Sequence, residues 1–211
     1  MERKLKVIFI GAGNRGQVYS KEMAKLPEKY EGVAVAEPKD SRRNAVKERF
    51  GLPEDRCFSD WRELLKLGKI ADLAVIATMD RMHTAPAIKA MEAGKHVICE
   101  KPCTTTAAHT KELFALAAGK GLFFMEAQKM LFLPAILEVQ KRIARGDLGQ
   151  MHMAEFSHSF SAAYNTWMYD KQAGGGPLLS SGIYAVQLLL WLFGPITRIS
   201  GVAAKENGVE W

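Results

Sequence analysis

Gly11, Gly13 and Gly16 stand immediately behind the apolar run Val7-Ile8-Phe9-Ile10, a G-x-G-x-x-G spacing that can bring backbone N–H groups against the phosphates of a dinucleotide. Each glycine meets a separate steric demand: a tight turn at Gly11, close approach of backbone to phosphate at Gly13, and close helix-to-strand packing at Gly16. Ala12, Asn14 and Arg15 complete the turn. The phosphates would face the start of the following helix, where unpaired N–H groups and the helix dipole favour an anion. Glycine is common, so the spacing alone is a weak signal. Context strengthens it, because the second apolar run, Val33-Ala34-Val35-Ala36, ends in Glu37, about twenty residues past the last glycine, where a carboxylate can accept both ribose hydroxyls of an adenosine. An ordinary acidic residue at a strand end is the competing explanation.

Charge bears on which dinucleotide is expected. Glu37 would accept the ribose hydroxyls of NAD and repel a 2′-phosphate, whereas Arg42 and Arg43 could attract one. Glu37 is nearer the expected position, so NAD is expected, with NADP as the alternative. Nowhere does the sequence space His, Cys and carboxylate residues as a metal site requires.

The elements that must position these residues follow from period. Apolar runs of strand length alternate with helical patterns through the first 125 residues, the rhythm of a parallel sheet built from βαβ units. Strands are expected near Lys6 to Ile10, Val33 to Glu37, Leu73 to Ala77, His96 to Glu100 and Leu122 to Glu126, with helices over Arg43 to Phe50, Asp60 to Leu67 and Ala85 to Ala93. Asp60 reads as a helix N-cap, and Gly94 and Gly121 as residues closing helices. Past Glu126 the pattern changes to a helix from about Pro134 to Arg145, a stop at Gly146-Asp147-Leu148-Gly149 and a strand-like run from His152 to Ser159. An aromatic loop around Tyr164 to Asp170, a glycine cluster from Gly174 to Gly176, an apolar helix from Leu178 to Phe193 and a strand near Ile196 to Ala203 follow. The expected architecture is α/β: a doubly wound dinucleotide-binding domain over 1–125, then a partial α+β domain over 126–211.

Composition excludes several classes. The 29 Lys and Arg against 23 Asp and Glu give a net charge of +6, but the bases are interspersed with acids, so the charge reads as solvated helix faces and not as a nucleic-acid surface. The three cysteines, Cys57, Cys99 and Cys103, are odd in number and lack disulfide-scaffold spacing, which suits a reducing, cytoplasmic setting. The longest apolar run, around Ile183 to Phe193, is interrupted by Gln187 and falls short of the roughly eighteen residues of a spanning helix. No membrane partner is expected.

From Ala93-Gly94-Lys95-His96-Val97 through Glu100-Lys101-Pro102, the sequence resembles the glucose-fructose oxidoreductase, inositol dehydrogenase and MocA family of nicotinamide-dependent oxidoreductases. The similarity spans almost the whole chain: the GAGNRG turn, the ATMDRMH stretch from Ala77 to His83, the MEAQ run from Met125, the GDLG stop and the AGGGPLLSSGIY block from Ala173. The segment AAGKGLFFMEA followed by FLPA looks most like the branch that holds dihydrodiol dehydrogenases and related sugar dehydrogenases. The resemblance implies that Lys101 lies at the carboxyl end of a sheet strand, beside the nicotinamide and the reacting carbon. Physical reasoning agrees, since ligands of open α/β sheets bind outside the carboxyl ends of strands, and an ammonium there can donate to an oxygen that gains negative charge. A lysine merely pairing with Glu100 is the plainer alternative. Pro102 fixes φ and is expected to aim its backbone carbonyl beneath the nicotinamide ring.

The family's usual proton carrier is a histidine four residues after an aspartate, and those positions hold Tyr184 and Ser180 here. The resemblance to tyrosine-bearing members implies that Tyr184 exchanges the substrate hydroxyl proton. A phenol of ordinary pKa ~10 needs help, and a nearby Lys101 ammonium would favour the phenolate. Thr78 and His83 match the family's A-T-x-x-x-x-H segment, with Met79 departing from its familiar proline. Glu100, Pro102 and Glu126 join the cofactor-binding candidates, Glu126 beside the nicotinamide ribose or carboxamide, with a structural role as the alternative for Glu126 and for His83 at its helix start; Lys129, Trp167, Tyr164, Ser180 and Gln187 are candidates for the substrate pocket. The expected activity is hydride transfer between a nicotinamide and a hydroxyl or carbonyl carbon of a sugar, polyol or cyclic diol. The alternative is a non-catalytic nucleotide-binding regulator, which Ser180 in place of the acid favours. Family members are considerably longer, with a second-domain sheet that often forms the subunit interface. A C-terminally short chain and a homo-oligomer through that domain are therefore expected.

Overall fold

The computed structural model describes residues 3–157, 167, 172–174, 176 and 178–202, and Tyr164 lies outside them. Two compact units emerge, Met1–Ala127 and Gln128–Trp211. The division falls two residues past the expected one because the last strand of the first unit pairs through Ala127, which opposes Glu100.

The first unit is a six-stranded sheet of β1 (Leu5–Ile10), β2 (Tyr30–Ala36), β3 (Cys57–Phe58), β4 (Leu73–Ile76), β5 (His96–Glu100) and β6 (Phe124–Ala127), in the order β3-β2-β1-β4-β5-β6 with every pairing parallel. Helices α1 (Asn14–Ala24), α2 (Asp40–Phe50), α3 (Trp61–Leu65), α4 (Thr84–Glu92) and α5 (Ala107–Gly119) connect them. Side-chain alternation explains the double winding. Val7, Phe9, Val35 and Val75 point into a core with Met23 of α1 and Val46 of α2, while Ile8, Ile10, Ala34 and Ile76 point into the opposite core with Leu64, Ala87, Met91 and Leu113. Each fully buried aliphatic or aromatic side chain contributes about 1.5–3 kcal/mol, so a strand apolar on both faces is stable only between two helical layers.

Two differences from the sequence expectations have simple causes. β2 starts at Tyr30 and not Val33, because parallel pairing with Leu5 carries the ladder through Glu31 and Gly32. β3 is only two residues long at the sheet edge, too short to leave a periodic trace. Asp60 caps α3 by accepting from the Arg62 N–H at 2.8 Å.

In the second unit a 3₁₀ turn (Lys129–Phe132) leads into α6 (Pro134–Arg145), which ends on Gly146 in the left-handed region at φ 77°. A π-helical turn (Leu178–Gly182) then runs into α7 (Ile183–Phe193). The strands expected over 152–159 and 196–203 are not found in their described portions, 152–157 and 196–202. Alternation marks a surface that can lie on a sheet, but a strand needs a neighbour's N–H and C=O groups, and the described residues of this unit supply no ladder. No described helix is long and apolar enough to cross a membrane.

Candidate functional site

The strand order reverses between β1 and β4, and the crevice at their carboxyl ends is where open α/β sheets bind ligands. Gly11 follows β1 with φ 88°, and a Cβ there would stand 2.6 Å from the Ala77 carbonyl oxygen beyond β4. At Gly16 a Cβ would meet the Gly11 oxygen at 2.1 Å. Gly13 differs: its nearest neighbour would be an Arg42 guanidinium nitrogen at 3.7 Å. Two of the glycines are thus required by the protein's own packing, whereas the third leaves a cradle that a ligand can enter. Behind it α1 begins without a side-chain cap or an acidic residue in its first turn, so its leading amides and positive dipole end suit an anion. Asn14 is exposed at that helix start and Ala12 is buried.

Glu37 is buried, and its carboxylate accepts from the backbone N–H of Ala12 at 2.8 Å and of Lys39 at 3.1 Å. Its first duty is therefore to brace the glycine turn, which its position at a strand end did not reveal. A carboxylate has about four acceptor positions, so capacity for ribose hydroxyls persists beside these two bonds. Gln17, which the sequence reading missed, ties the turn to α2 by donating to the Ala12 and Arg42 carbonyl oxygens at 3.1 and 2.9 Å. Arg49 in turn donates to the Gln17 amide oxygen at 3.0 Å. The Arg42 guanidinium has no ion-pair partner among the described residues.

Lys101 follows β5, at the same carboxyl edge. Glu100, a cofactor-binding candidate and 5% exposed, turns its carboxylate to α1. It accepts from Arg15 Nε at 2.8 Å and from the Tyr19 hydroxyl at 2.9 Å, while its other oxygen accepts from the Lys101 backbone N–H at 3.2 Å. Arg15 and Tyr19 are spaced i,i+4 and share one helix face, a spacing that could have flagged Tyr19. Burial and the adjoining carboxylate push the Tyr19 phenol well above its ordinary range, so it remains a donor.

His83, 1% exposed, places Nδ1 2.7 Å from the Pro102 carbonyl oxygen and Nε2 3.1 Å from that of Thr78. A neutral ring has one N–H and donates to one of these at a time. The Pro102 oxygen thus faces a buried imidazole. Thr78 Oγ1 donates to the Met82 carbonyl at 3.1 Å, closing the turn that carries His83. Glu126 accepts from the Cys103 N–H at 2.8 Å and fixes the segment after Pro102 to β6. Glu37, Glu100, His83 and Glu126 thus each hold part of the crevice wall through bonds of their own.

In the second unit, Tyr184 lies in the first turn of α7, half-buried, with Ser180 in the preceding π turn. The Lys129 ammonium stands over the Tyr184 ring, 5.6 Å from its centroid. The Gln187 Oε1 is buried without a hydrogen-bond partner. Trp167 is 38% exposed.

Residues 5–128 match the profile of an oxidoreductase family with an NAD-binding Rossmann fold, and residues 136–210 match that of a GFO/IDH/MocA C-terminal domain. Among curated proteins, trans-1,2-dihydrobenzene-1,2-diol dehydrogenase of Bos taurus is 33% identical over 208 residues and that of Mus musculus 31% over 206, each alignment covering 96% of this chain. This chain spans 61% of the length of those relatives. Among solved structures, an NAD-binding protein from Listeria innocua is 27% identical with a TM-score of 0.77, covering 90% of this chain and 55% of that one. A levoglucosan dehydrogenase solved with NADH and levoglucosan is also 27% identical at a TM-score of 0.77, with 91% and 55% covered.

Proposed function

Because the chain belongs to the GFO/IDH/MocA oxidoreductase family, with its NAD-binding Rossmann fold, we propose that it oxidises a carbinol carbon of a sugar, polyol or cyclic diol, or reduces the matching carbonyl, with NAD as partner and NADP as the alternative. The observation that carries this reading is the cradle at Gly13, open where Gly11 and Gly16 are closed, at the head of an uncapped helix. Gly13, Asn14 and Arg15 would hold the diphosphate through backbone N–H groups, with Ala12, whose own N–H is bonded to Glu37, shaping the turn, and Glu37 or Arg42 would meet the adenosine ribose. Bound NAD supplies a hydride acceptor at C4 of its nicotinamide.

Lys101 donates to the substrate oxygen and stabilises the charge that develops there. Tyr184, as its phenolate, accepts the hydroxyl proton during oxidation and, as the phenol, returns it during reduction. Positioning of Lys101 falls to Glu100, whose carboxylate is fixed by Arg15 and Tyr19, and of Pro102 to His83. Names of relatives support the substrate class: one acts on a dihydrobenzenediol, and another was solved with levoglucosan. The working form is a homo-oligomer associating through the second unit, in the cytoplasm, where its three free thiols remain reduced.

Nicotinamide absorbance with a panel of aldoses, polyols and cyclic diols tests this, with Lys101→Met and Tyr184→Phe alongside. Loss of at least about a hundredfold in turnover is expected from each, with NADH affinity retained. Unchanged turnover in both variants refutes the assignment. NADH binding without turnover of any substrate favours the second reading, a nucleotide-binding regulator, for which Ser180 in place of the family's acid speaks.

A further inference from the structure

Lys129 opens the 3₁₀ turn that packs against α7, and its ammonium stands over the Tyr184 ring. One helical turn either side of Tyr184 are Ser180 and Gln187. The two segments carry no negative charge: neither that from Leu178 to Phe193 nor that from Lys129 to Phe132 contains an aspartate or glutamate. Among the described residues no carboxylate lies within ion-pair distance of Lys129. A ring face orients an exposed ammonium but satisfies it only weakly. Gln187 presents the opposite need, a buried carbonyl oxygen without a donor. Beside the proposed proton carrier, then, stand an unpaired cation and an unpaired acceptor.

The geometry points to a substrate that carries an anionic group, a carboxylate or a phosphoryl group, close to the hydroxyl that reacts, with Lys129 as its anchor and Gln187 Oε1 accepting from a neighbouring hydroxyl. The inference rests on Tyr184 acting at the substrate, as proposed above, and narrows that reading from hydroxylated compounds in general to sugar acids or sugar phosphates. It sets this chain apart from the neutral diol in the names of its relatives. Lys129 is a specificity-determining residue on this account: it recognises a group that does not itself react.

The experiment compares matched pairs, D-galacturonate against D-galactose and D-glucose 6-phosphate against D-glucose, with the full chain, Lys129→Met and Lys129→Arg. For at least one pair kcat/KM is expected to favour the charged member by about tenfold or more, the difference that one charge-assisted contact supports. Lys129→Met should collapse that ratio through KM, and Lys129→Arg should restore most of it. Preference for galacturonate alone identifies a carboxylate and for the glucose phosphate alone a phosphoryl group. If no substrate turns over, calorimetry of the same pairs on the NADH-loaded chain reads the same ratio. Equal handling of charged and neutral members, or a ratio that survives in Lys129→Met, overturns the inference while leaving the oxidoreductase reading intact. Absence of NADH binding defeats both.

Discussion

Arg15 Nε lies 2.8 Å from Glu100 Oε1, so the first turn of α1 and the end of β5 are held by one ion pair across the mouth of the crevice. The Tyr19 hydroxyl shares the same oxygen, and the Lys101 N–H is bonded to the other. The residue proposed to polarise the substrate is thereby referenced to the helix proposed to hold the diphosphate.

Tyr19→Phe should cost about 1–2 kcal/mol of stability, the loss of one hydrogen bond to a charged, buried acceptor. Arg15→Met should cost a similar amount, below the usual figure for breaking a buried pair, because Arg15 is more than a third exposed and water can screen the carboxylate. Denaturant unfolding measures both, and a double-mutant cycle with Glu100→Gln should show coupling of at least about 0.5 kcal/mol. Additive effects would mean that the contact holds nothing.

The three glycines should separate into two kinds. Gly11→Ala and Gly16→Ala place a Cβ against backbone at 2.6 and 2.1 Å, so each should lower the melting temperature. Gly13→Ala meets nothing nearer than the Arg42 guanidinium at 3.7 Å, so the fold should tolerate it to within about 1 kcal/mol. Its NADH affinity should nevertheless fall by about tenfold or more, because the methyl group enters the space meant for phosphate. Unaltered affinity in a folded Gly13→Ala protein would place the diphosphate elsewhere.

Lys95 gives a pH-dependent signature. Its side chain is fully buried, Nζ donates to the Gly68 carbonyl at 2.6 Å, and burial with Lys69 nearby lowers its pKa. Between that lowered value and the ordinary ~10.4 of an unfolded lysine, the unfolded chain binds more protons, so the contribution of Lys95 to stability rises with pH. The wild-type protein should therefore gain on Lys95→Met as pH rises from that lowered value toward ~10.4, followed by thermal melts of both across the alkaline range. A constant difference would show that the amine is not desolvated.

Thiol chemistry should report the same packing. Burial and the Glu126 carboxylate raise Cys103 to about 12, and burial raises Cys99 still more firmly. Since the thiolate is the reactive form, a disulfide reagent at neutral pH should modify the half-buried Cys57 first and reach the other two only on unfolding. Early labelling of Cys103 would show that the segment after Pro102 opens readily.

The sequence determined whatever depends on local pattern. Apolar runs alternating with helical stretches specify parallel βαβ units, and the spacing of Gly11, Gly13 and Gly16 locates the turn, because backbone geometry there admits few residues. Pro134 and Gly146 bounded α6 correctly for the same local reason. Tertiary structure alone decided which polar groups are spent on holding the site. Glu37, Glu100, His83 and Glu126 have the residue types of a cofactor site, yet their partners are 19 to 85 residues away in the chain or on neighbouring backbone, and a side chain's duty is set by what folding brings within hydrogen-bond reach. The strands expected over 152–159 and 196–203, not found in the described portions 152–157 and 196–202, teach the same lesson, since a ladder is a property of two segments and no single run can specify its neighbour.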